Sequence, residues 1–581
     1  MYHLGIGYGH CATVALIRDG ALVFCQSEER LNRLKNSTGF PSRTLAALYE
    51  TIGGPEQIAS CTLLNRPPVG GYAFMKQRGF QPAQMNPHLD PALIDGWAAD
   101  LAQQARVEQG SRDYEALLFA DPGMRAESDR WFAEAIGLPA DRIEAVDHHV
   151  GHVLSVLPFL ETPERDVLIF TLDGEGDGLS GSVSLLRDGV VTNLGATADL
   201  LSLGRLYATV TGILGFSMFE HEYKVMGLAP YAKPEYTRRL LEKFSALLRV
   251  DEKGVWHGAF ASKAEMVVKL VELCRFERFD AIAAAVQTLT ETLICQWVQR
   301  WIQRTGIHAI ACAGGVFMNV KANQRLAELP EVEALTIVPS CGDESAAIGC
   351  AVSGARRHQP AVRFAPTRSL ALGMNFSDEA VLRYLIDQRI AERFDIAEPP
   401  DIEVAIAQRL AEGHVVARCS GPMEFGARAL GNRSILAHPA KPELVGLIND
   451  AIKNRDFWMP FAPSILAEEA DALTVNPKRL DSRFMMIAFD ATARGRAALP
   501  AALHRADFTL RPQLVERAAS PAYHGLIAAF RAITGIGAVL NTSFNLHGEP
   551  IVCSPADAVE TVARSGLVYL ALNRFLLTKR A

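Results

Sequence analysis

The chain has 581 residues, 49% of them hydrophobic, which is too much apolar material for one core and predicts two to four folding units. Its formal net charge is -7 and its basic residues are scattered, so it offers no electrostatic footprint for nucleic acid or an anionic membrane. Ten cysteines without a C-x-x-C pair, an opening Met1-Tyr2-His3-Leu4-Gly5 with no basic region, and no apolar run of roughly 18 residues exclude a disulfide scaffold and a membrane span. The expectation is a reduced, cytoplasmic protein.

In chain order, the segment from His3 to about Gln26 reads as strands around a hairpin: an apolar run through Ile6, then Ala12 to Ile17, a turn at Asp19-Gly20, and Ala21 to Phe24. Gly5, Gly7 and Gly9 interrupt the first turn and would let backbone approach a ligand such as phosphate. The stretch from Tyr72 to about Glu115 reads as an insertion covering a site. Apolar residues at three-to-four spacing predict helices over Pro91–Val107, Glu127–Ile136 and Asp280–Arg304.

A second hairpin runs from Val167–Leu172 through the turn Asp173-Gly174-Glu175-Gly176-Asp177-Gly178 to Ser180–Leu186, repeating the opening motif. A third glycine turn, Ala313-Gly314-Gly315, follows the apolar run Ala309–Cys312 and precedes Asn319 and a helix. Three such turns predict a duplicated α/β fold. Proline and charge replace periodic structure from Gly354 to Pro366, which places a domain boundary there, and from Ser377 a helix leads into a second α/β region.

Several clusters carry chemistry. In His148-His149-Val150-Gly151-His152 a helix starting within Ile143–Leu157 puts His148 and His152 on one face, able to chelate one metal; the alternative is a histidine-rich helix start with satisfied hydrogen bonds. Asp173 and Asp343 are the acidic partners, in an arrangement that suits Fe(II), with Zn or Mn also fitting; Asp343 could instead cap a helix. Lys453 and Arg455 share a face if the segment is extended and could grip one polyanion, with Phe457-Trp458-Met459-Pro460-Phe461 as an apolar wall, or could form a solvated surface. Asn541, Ser543 and Asn545 alternate at a strand end, as ligand contacts or as turn caps. Of Arg428 and Arg433, set among small residues, at least one is expected to face a phosphate.

Four segments together resemble the O-carbamoyltransferases of the NodU/CmcH type: Glu222-Tyr223-Lys224-Val225-Met226-Gly227-Leu228-Ala229-Pro230-Tyr231, Gly314-Gly315-Val316-Phe317-Met318-Asn319, the block Glu424 to Ser434, and Asn541 to Val552. The resemblance implies an actin-like, duplicated N-terminal domain similar to threonylcarbamoyl transferases over residues 1–355, a linker at 356–376, and a YrdC-like α/β domain at 377–581. It implies that carbamoyl phosphate and ATP, with Mg2+, give carbamoyl adenylate in the second domain, and that the first passes the carbamoyl group to a hydroxyl of a small metabolite.

Residue by residue, the resemblance implies that Lys453-x-Arg455 and Ser543-x-Asn545 form the activating site, with Arg428, Arg511 and Asn541 as phosphate or carbamoyl contacts. Gly314, Gly315 and Asn319 would meet the nucleotide. His148, His152, Asp173 and Asp343 would hold iron or another divalent metal, and His10 would take the proton of the acceptor hydroxyl. Cys11 stands where relatives carry Asp, which bears on acceptor handling. The acceptor, the metal and the oligomeric state, a homodimer included, stay open. The rivals are a tRNA-modifying threonylcarbamoyl enzyme, which the acidic charge disfavours, and an actin-like ATP-binding switch, which leaves the basic and amide cluster unexplained.

Overall fold

Two five-stranded sheets with the same strand order organise the first half of the chain. The computed structural model describes residues 1–65, 89–109 and 122–580. In the first sheet Tyr2–Gly7 (β1), Thr13–Arg18 (β2), Ala21–Ser27 (β3), Ile58–Leu64 (β4) and Ile143–Val146 (β5) lie in the order β3-β2-β1-β4-β5. In the second, Val167–Gly176 (β6), Leu179–Arg187 (β7), Val190–Ala198 (β8), Ala309–Ala313 (β9) and Ala334–Ile337 (β10) lie in the order β10-β9-β6-β7-β8. In each, the first strand pairs antiparallel with the second and parallel with the fourth, so the expected duplication is present in the backbone. The first strands are central and covered on both sides, which is why they read as nearly continuous apolar runs.

Three helices of this half pack against these strands: His148–Ser155 (α1), Phe279–Thr305 (α2) and Asp343–His358 (α3). Trp297 of α2 meets Phe170 of β6 edge-on, with ring centroids 5.0 Å apart. Helix α3 crosses α1 so closely that a Cβ on Gly349 would coincide with the Gly151 carbonyl oxygen. Gly5 is held in the same way, its missing side chain leaving room for the Ala347 carbonyl and the Ala351 amide of α3. The glycine expected to admit a ligand therefore admits a helix, while a Cβ at Gly9 would meet open space.

The chain divides into two compact units, Met1–Val23 with Asn36–Pro366 and Phe24–Lys35 with Thr367–Ala581. The expected partition at 355 and 377 differs in two ways. Helix α3 continues through the predicted break to His358, and the short segment Phe24–Lys35 belongs to the second unit. The reason for the second is hydrogen bonding: Arg30 donates to the Gly426 carbonyl at 2.7 Å, and Arg33 to those of Ile551 and Pro550 at 2.7 and 2.8 Å. The insertion expected from Tyr72 to Glu115 lies outside the described residues except for 89–109, where Pro91–Ala99 and 101–109 are helical.

The second unit is built on an eight-stranded mixed sheet. Phe394–Ala397 (β11), Val416–Cys419 (β12), Arg433–Ala437 (β13), Ala462–Leu466 (β14), Gln513–Val515 (β15), Ala538–Ser543 (β16), Tyr569–Leu572 (β17) and Phe575–Lys579 (β18) are ordered β11-β18-β17-β12-β13-β16-β14-β15. Helices cover both faces, with Ile448, Val559 and Val562 in the core on one and Ile406, Leu526 and Phe530 in the core on the other. Among the described residues no helix is long and apolar enough to cross a membrane.

The crossing of α1 and α3 has no slack, because the atom a new methyl would meet is backbone. Gly349→Ala is expected to destabilise the chain by about 1–3 kcal/mol, read as a lowered midpoint in urea unfolding, whereas the same change at Gly9 should leave that midpoint in place.

Candidate functional site

Four side chains from three elements converge in the first unit. Helix α1 presents His148 and His152 one turn apart, as the i, i+4 spacing requires. Strand β6 breaks register between Leu172 and Gly176, and this irregularity turns Asp173 toward the imidazoles. Asp173 Oδ2 lies 3.1 Å from His148 Nε2 and 2.8 Å from His152 Nε2. Asp343 is the first residue of α3 and makes no cap bond; its Oδ1 lies 3.5 and 3.8 Å from the same two nitrogens. The four ligand atoms all fall within 4.8 Å of one another. This convergence is the arrangement expected of a metal site, while hydrogen bonds from both imidazoles to Asp173 also satisfy their Nε2 atoms without an ion.

The electrostatics of the cluster favour positive charge among its carboxylates. The two Nε2 atoms are 3.1 Å apart and face the same carboxylate. Burial opposes charging His152, yet the Asp173 and Asp343 carboxylates outweigh it and lift its pKa to about 9. Burial likewise opposes Asp173, and hydrogen bonds from His148 and His152 hold it well below the usual carboxylate range. A divalent ion would satisfy all four groups at once, leaving both imidazoles neutral, and two nitrogens with two carboxylate oxygens suit a first-row metal. His148 is oriented further by its backbone amide, which donates to Asp177 Oδ2 at 2.7 Å, a carboxylate the sequence marked only as part of the glycine-rich turn.

His10, in the turn between β1 and β2, sits at the rim, with Nδ1 3.9 Å from Asp343 Oδ2. Cys11 adopts a left-handed backbone at φ 54° and places Sγ 3.3 Å from His10 Nδ1. Gly314, at φ +96°, packs on the Leu172 carbonyl, and Gly315 faces Asp173. Asn319 caps the following helix through the Ala322 amide at 3.0 Å and exchanges two hydrogen bonds with Gln287. In this structure Gly314 and Gly315 pack against the end of β6, and Asn319 is engaged by α2 and its own helix.

In the second unit Lys453 does not lie in an extended segment, as its spacing from Arg455 suggested. The helix Glu443–Ile448 runs on into a wide turn over Asn449–Lys453, because Ile448 and Ile452 are both buried at helical spacing, and Asn454 then reverses the chain at φ 43°. Lys453 nonetheless meets its expected partners: Nζ donates to Asn545 Oδ1 at 2.7 Å and Ser543 Oγ at 3.1 Å. Ser543 and Asn545 are joined to each other at 2.7 Å.

Cations crowd this place. Burial, Arg455 and Lys35 push the Lys453 ammonium well below its ordinary pKa, and burial, Arg428 and Arg455 do the same to Arg511. Arg455 stacks over Phe461 at 5.0 Å. Such mutual repulsion is relieved by an anion of several charges. Lys35 was invisible as a member because it lies in the short N-terminal segment of this unit.

Arg433 is not a ligand candidate. Its guanidinium is buried and donates to the carbonyls of Cys553, Ser420, Gly421 and Asn432 at 3.0–3.2 Å. Glu424, which opens the same block, accepts from the amides of Leu430, Asn432 and Arg433 at 2.8–3.1 Å and so shapes the loop carrying Arg428. Asn541 lies on β16 two residues before Ser543, hence on the same face of the strand.

Comparisons with known proteins identify the family. A family model for the carbamoyltransferase N-terminus matches residues 135–352, and one for the carbamoyltransferase C-terminus matches 407–579. The nodulation protein NolNO of Sinorhizobium fredii is 31% identical over 98% of this chain and 79% of its own. The 3'-hydroxymethylcephem-O-carbamoyltransferase of Amycolatopsis lactamdurans is 28% identical over 42% of this chain and 44% of its own. Among solved structures, the activator of the 2-hydroxyisocaproyl-CoA dehydratase from Clostridium difficile with bound ADPNP overlaps 63% of this chain and 100% of its own, with 12% identity and a TM-score of 0.31. With both halves of the family pattern on one polypeptide and a relative 31% identical along 98% of it, the chain belongs to the carbamoyltransferases of the NodU/CmcH type and is a transferase.

Proposed function

We propose that this enzyme makes carbamoyl adenylate from carbamoyl phosphate and ATP and transfers the carbamoyl group to a hydroxyl of a small metabolite, a natural product or sugar derivative. The observation that supports this reading is a run of neighbouring cations, with Lys453 on Ser543 and Asn545, Arg455 near Lys453, and Arg428 and Arg455 near Arg511, which a triphosphate beside a small planar fragment would suit. On this reading the first unit is a duplicated actin-like domain and the second is YrdC-like.

In the second unit water hydrolyses carbamoyl phosphate to carbamate, phosphate and a proton, a carbamate oxygen then attacks the α-phosphorus of Mg2+-bound ATP, and pyrophosphate leaves. Fixed cations neutralise charge already in place when the bond forms, so positioning and electrostatics supply the rate. In the first unit the acceptor oxygen attacks the carbamoyl carbon, AMP leaves, and the hydroxyl proton passes to His10. His148, His152, Asp173 and Asp343 would hold Fe(II) or another divalent ion, which supplies Lewis-acid polarisation of the adenylate when bound. His10 lies at the open edge of that cluster, where the Asp343 side chain is 26% exposed and an acceptor has access.

Three outcomes test this. Lys453→Ala should abolish carbamoyl phosphate-dependent pyrophosphate release, a loss of roughly 100-fold or more, while transfer from supplied carbamoyl adenylate continues. His10→Asn should do the reverse, sparing pyrophosphate release and stopping carbamoylation, read by mass spectrometry of a panel of hydroxylated compounds; loss of both activities would count against its role as base. His152→Ala should lower bound metal from about one ion per chain to near none in elemental analysis, with pyrophosphate release retained.

A further inference from the structure

Lys453 leans on Asn545, and Asn545 leans on a loop. The Asn545 Nδ2 donates to the carbonyls of Leu546 and Glu549, each at 2.8 Å. A peptide carbonyl can only accept, so the oxygen of the amide faces the other way. There Oδ1 accepts from the Lys453 ammonium and from Ser543 Oγ, both at 2.7 Å. Asn545 thus spans the turn formed by residues 546–549, and the place of the ammonium depends on where the returning limb, residues 549–551, lies.

That limb is held from outside. At its base the Val552 amide donates to the Phe544 carbonyl at 2.9 Å, and Arg564 meets the Glu549 carboxylate at 3.0 Å. Above the base Pro550 has no N–H to bond inward, and Pro550 and Ile551 are buried, so their carbonyls need donors from elsewhere. Arg33 supplies both: Nη2 donates to Pro550 at 2.8 Å and Nη1 to Ile551 at 2.7 Å, a use suited to the planar fork of a guanidinium. Glu549 Oε2 and Asp557 Oδ1 lie 3.9 and 3.7 Å from the same group. Arg33 ends the short helix Glu29–Asn32 in a left-handed conformation, φ 64°, where glycine is the usual residue, so its side chain is kept there at a backbone cost. Leu31, on that helix, packs against buried Met423, Ile551 and Cys553.

We infer that Arg33 is a positioning residue of the activating site: by gripping Pro550 and Ile551 it keeps the 545–551 loop in the shape that fixes Asn545 Oδ1 and, through it, the Lys453 ammonium. This rests on the carbamoyl phosphate and ATP reading above, in which that ammonium meets a phosphate. An ammonium misplaced by about 1 Å still attracts an anion, yet loses much of its effect on rate, because the benefit of a fixed charge depends on where it stands when the bond forms.

The test uses the full chain. In Arg33→Met, carbamoyl phosphate-dependent pyrophosphate release should fall roughly 100-fold, while transfer from supplied carbamoyl adenylate, a reaction of the first unit, continues. Arg33→Lys, which keeps the charge and can reach one carbonyl, should fall between that variant and the wild type, and takes its place if Arg33→Met does not fold. On an Asn545→Ala background the loss of Arg33 should cost little more, because residues acting in series are not additive. Amide hydrogen exchange over residues 546–551, read without substrate, should rise in Arg33→Met. Full additivity in the double variant, or wild-type exchange and pyrophosphate release in the folded single variant, overturns the inference alone. Absence of carbamoyl phosphate-dependent pyrophosphate release in the wild type overturns the underlying reading and the inference with it.

Discussion

The contact on which the first unit depends is backbone against backbone: Gly151 of α1 against Gly349 of α3. Helix α1 carries both imidazoles and α3 begins with Asp343, so the distance between these helices sets the size of the cation site. A side chain at the crossing would push apart the helices that hold ligand atoms now within 4.8 Å of one another. Asp173 completes the set only because β6 departs from regular pairing in the residues after Leu172. A helix crossing and a strand irregularity together do what no single element could.

The second unit solves a different problem, that of keeping like charges together before any ligand arrives. Lys453 is held by a hydroxyl and an amide oxygen, neither of which carries charge, and Arg455 lies over an aromatic face. Burying the Lys453 ammonium beside Arg455 costs the free protein stability, as the lowered pKa of the buried amine reflects. The neighbouring loop is shaped by Glu424 and Arg433, an acid and a base consumed by backbone amides and carbonyls.

Much of this was legible in the residues. Alternating apolar runs around Asp-Gly turns disclosed both hairpins, and the spacing of His148 and His152 disclosed a shared helix face, because these are local relations. What stayed hidden depends on contacts between distant segments. Gly5 looks like a ligand glycine until α3 is laid on it, and Arg433 looks like Arg428 until its carbonyl partners are known. The extended reading of Lys453 failed because two buried isoleucines, not the charged pair, decide the local conformation.

The detour of Phe24–Lys35 into the second unit bears on how the protein can be made. A ribosome releases this segment early, yet the carbonyls that receive Arg30 and Arg33 are not translated until the whole first unit has emerged. The second unit is therefore not an autonomous cassette. Severed after Pro366 it would lack one of its own threads, and Lys35 with it, so the two halves of this enzyme have to be inherited, expressed and matured as one continuous polypeptide.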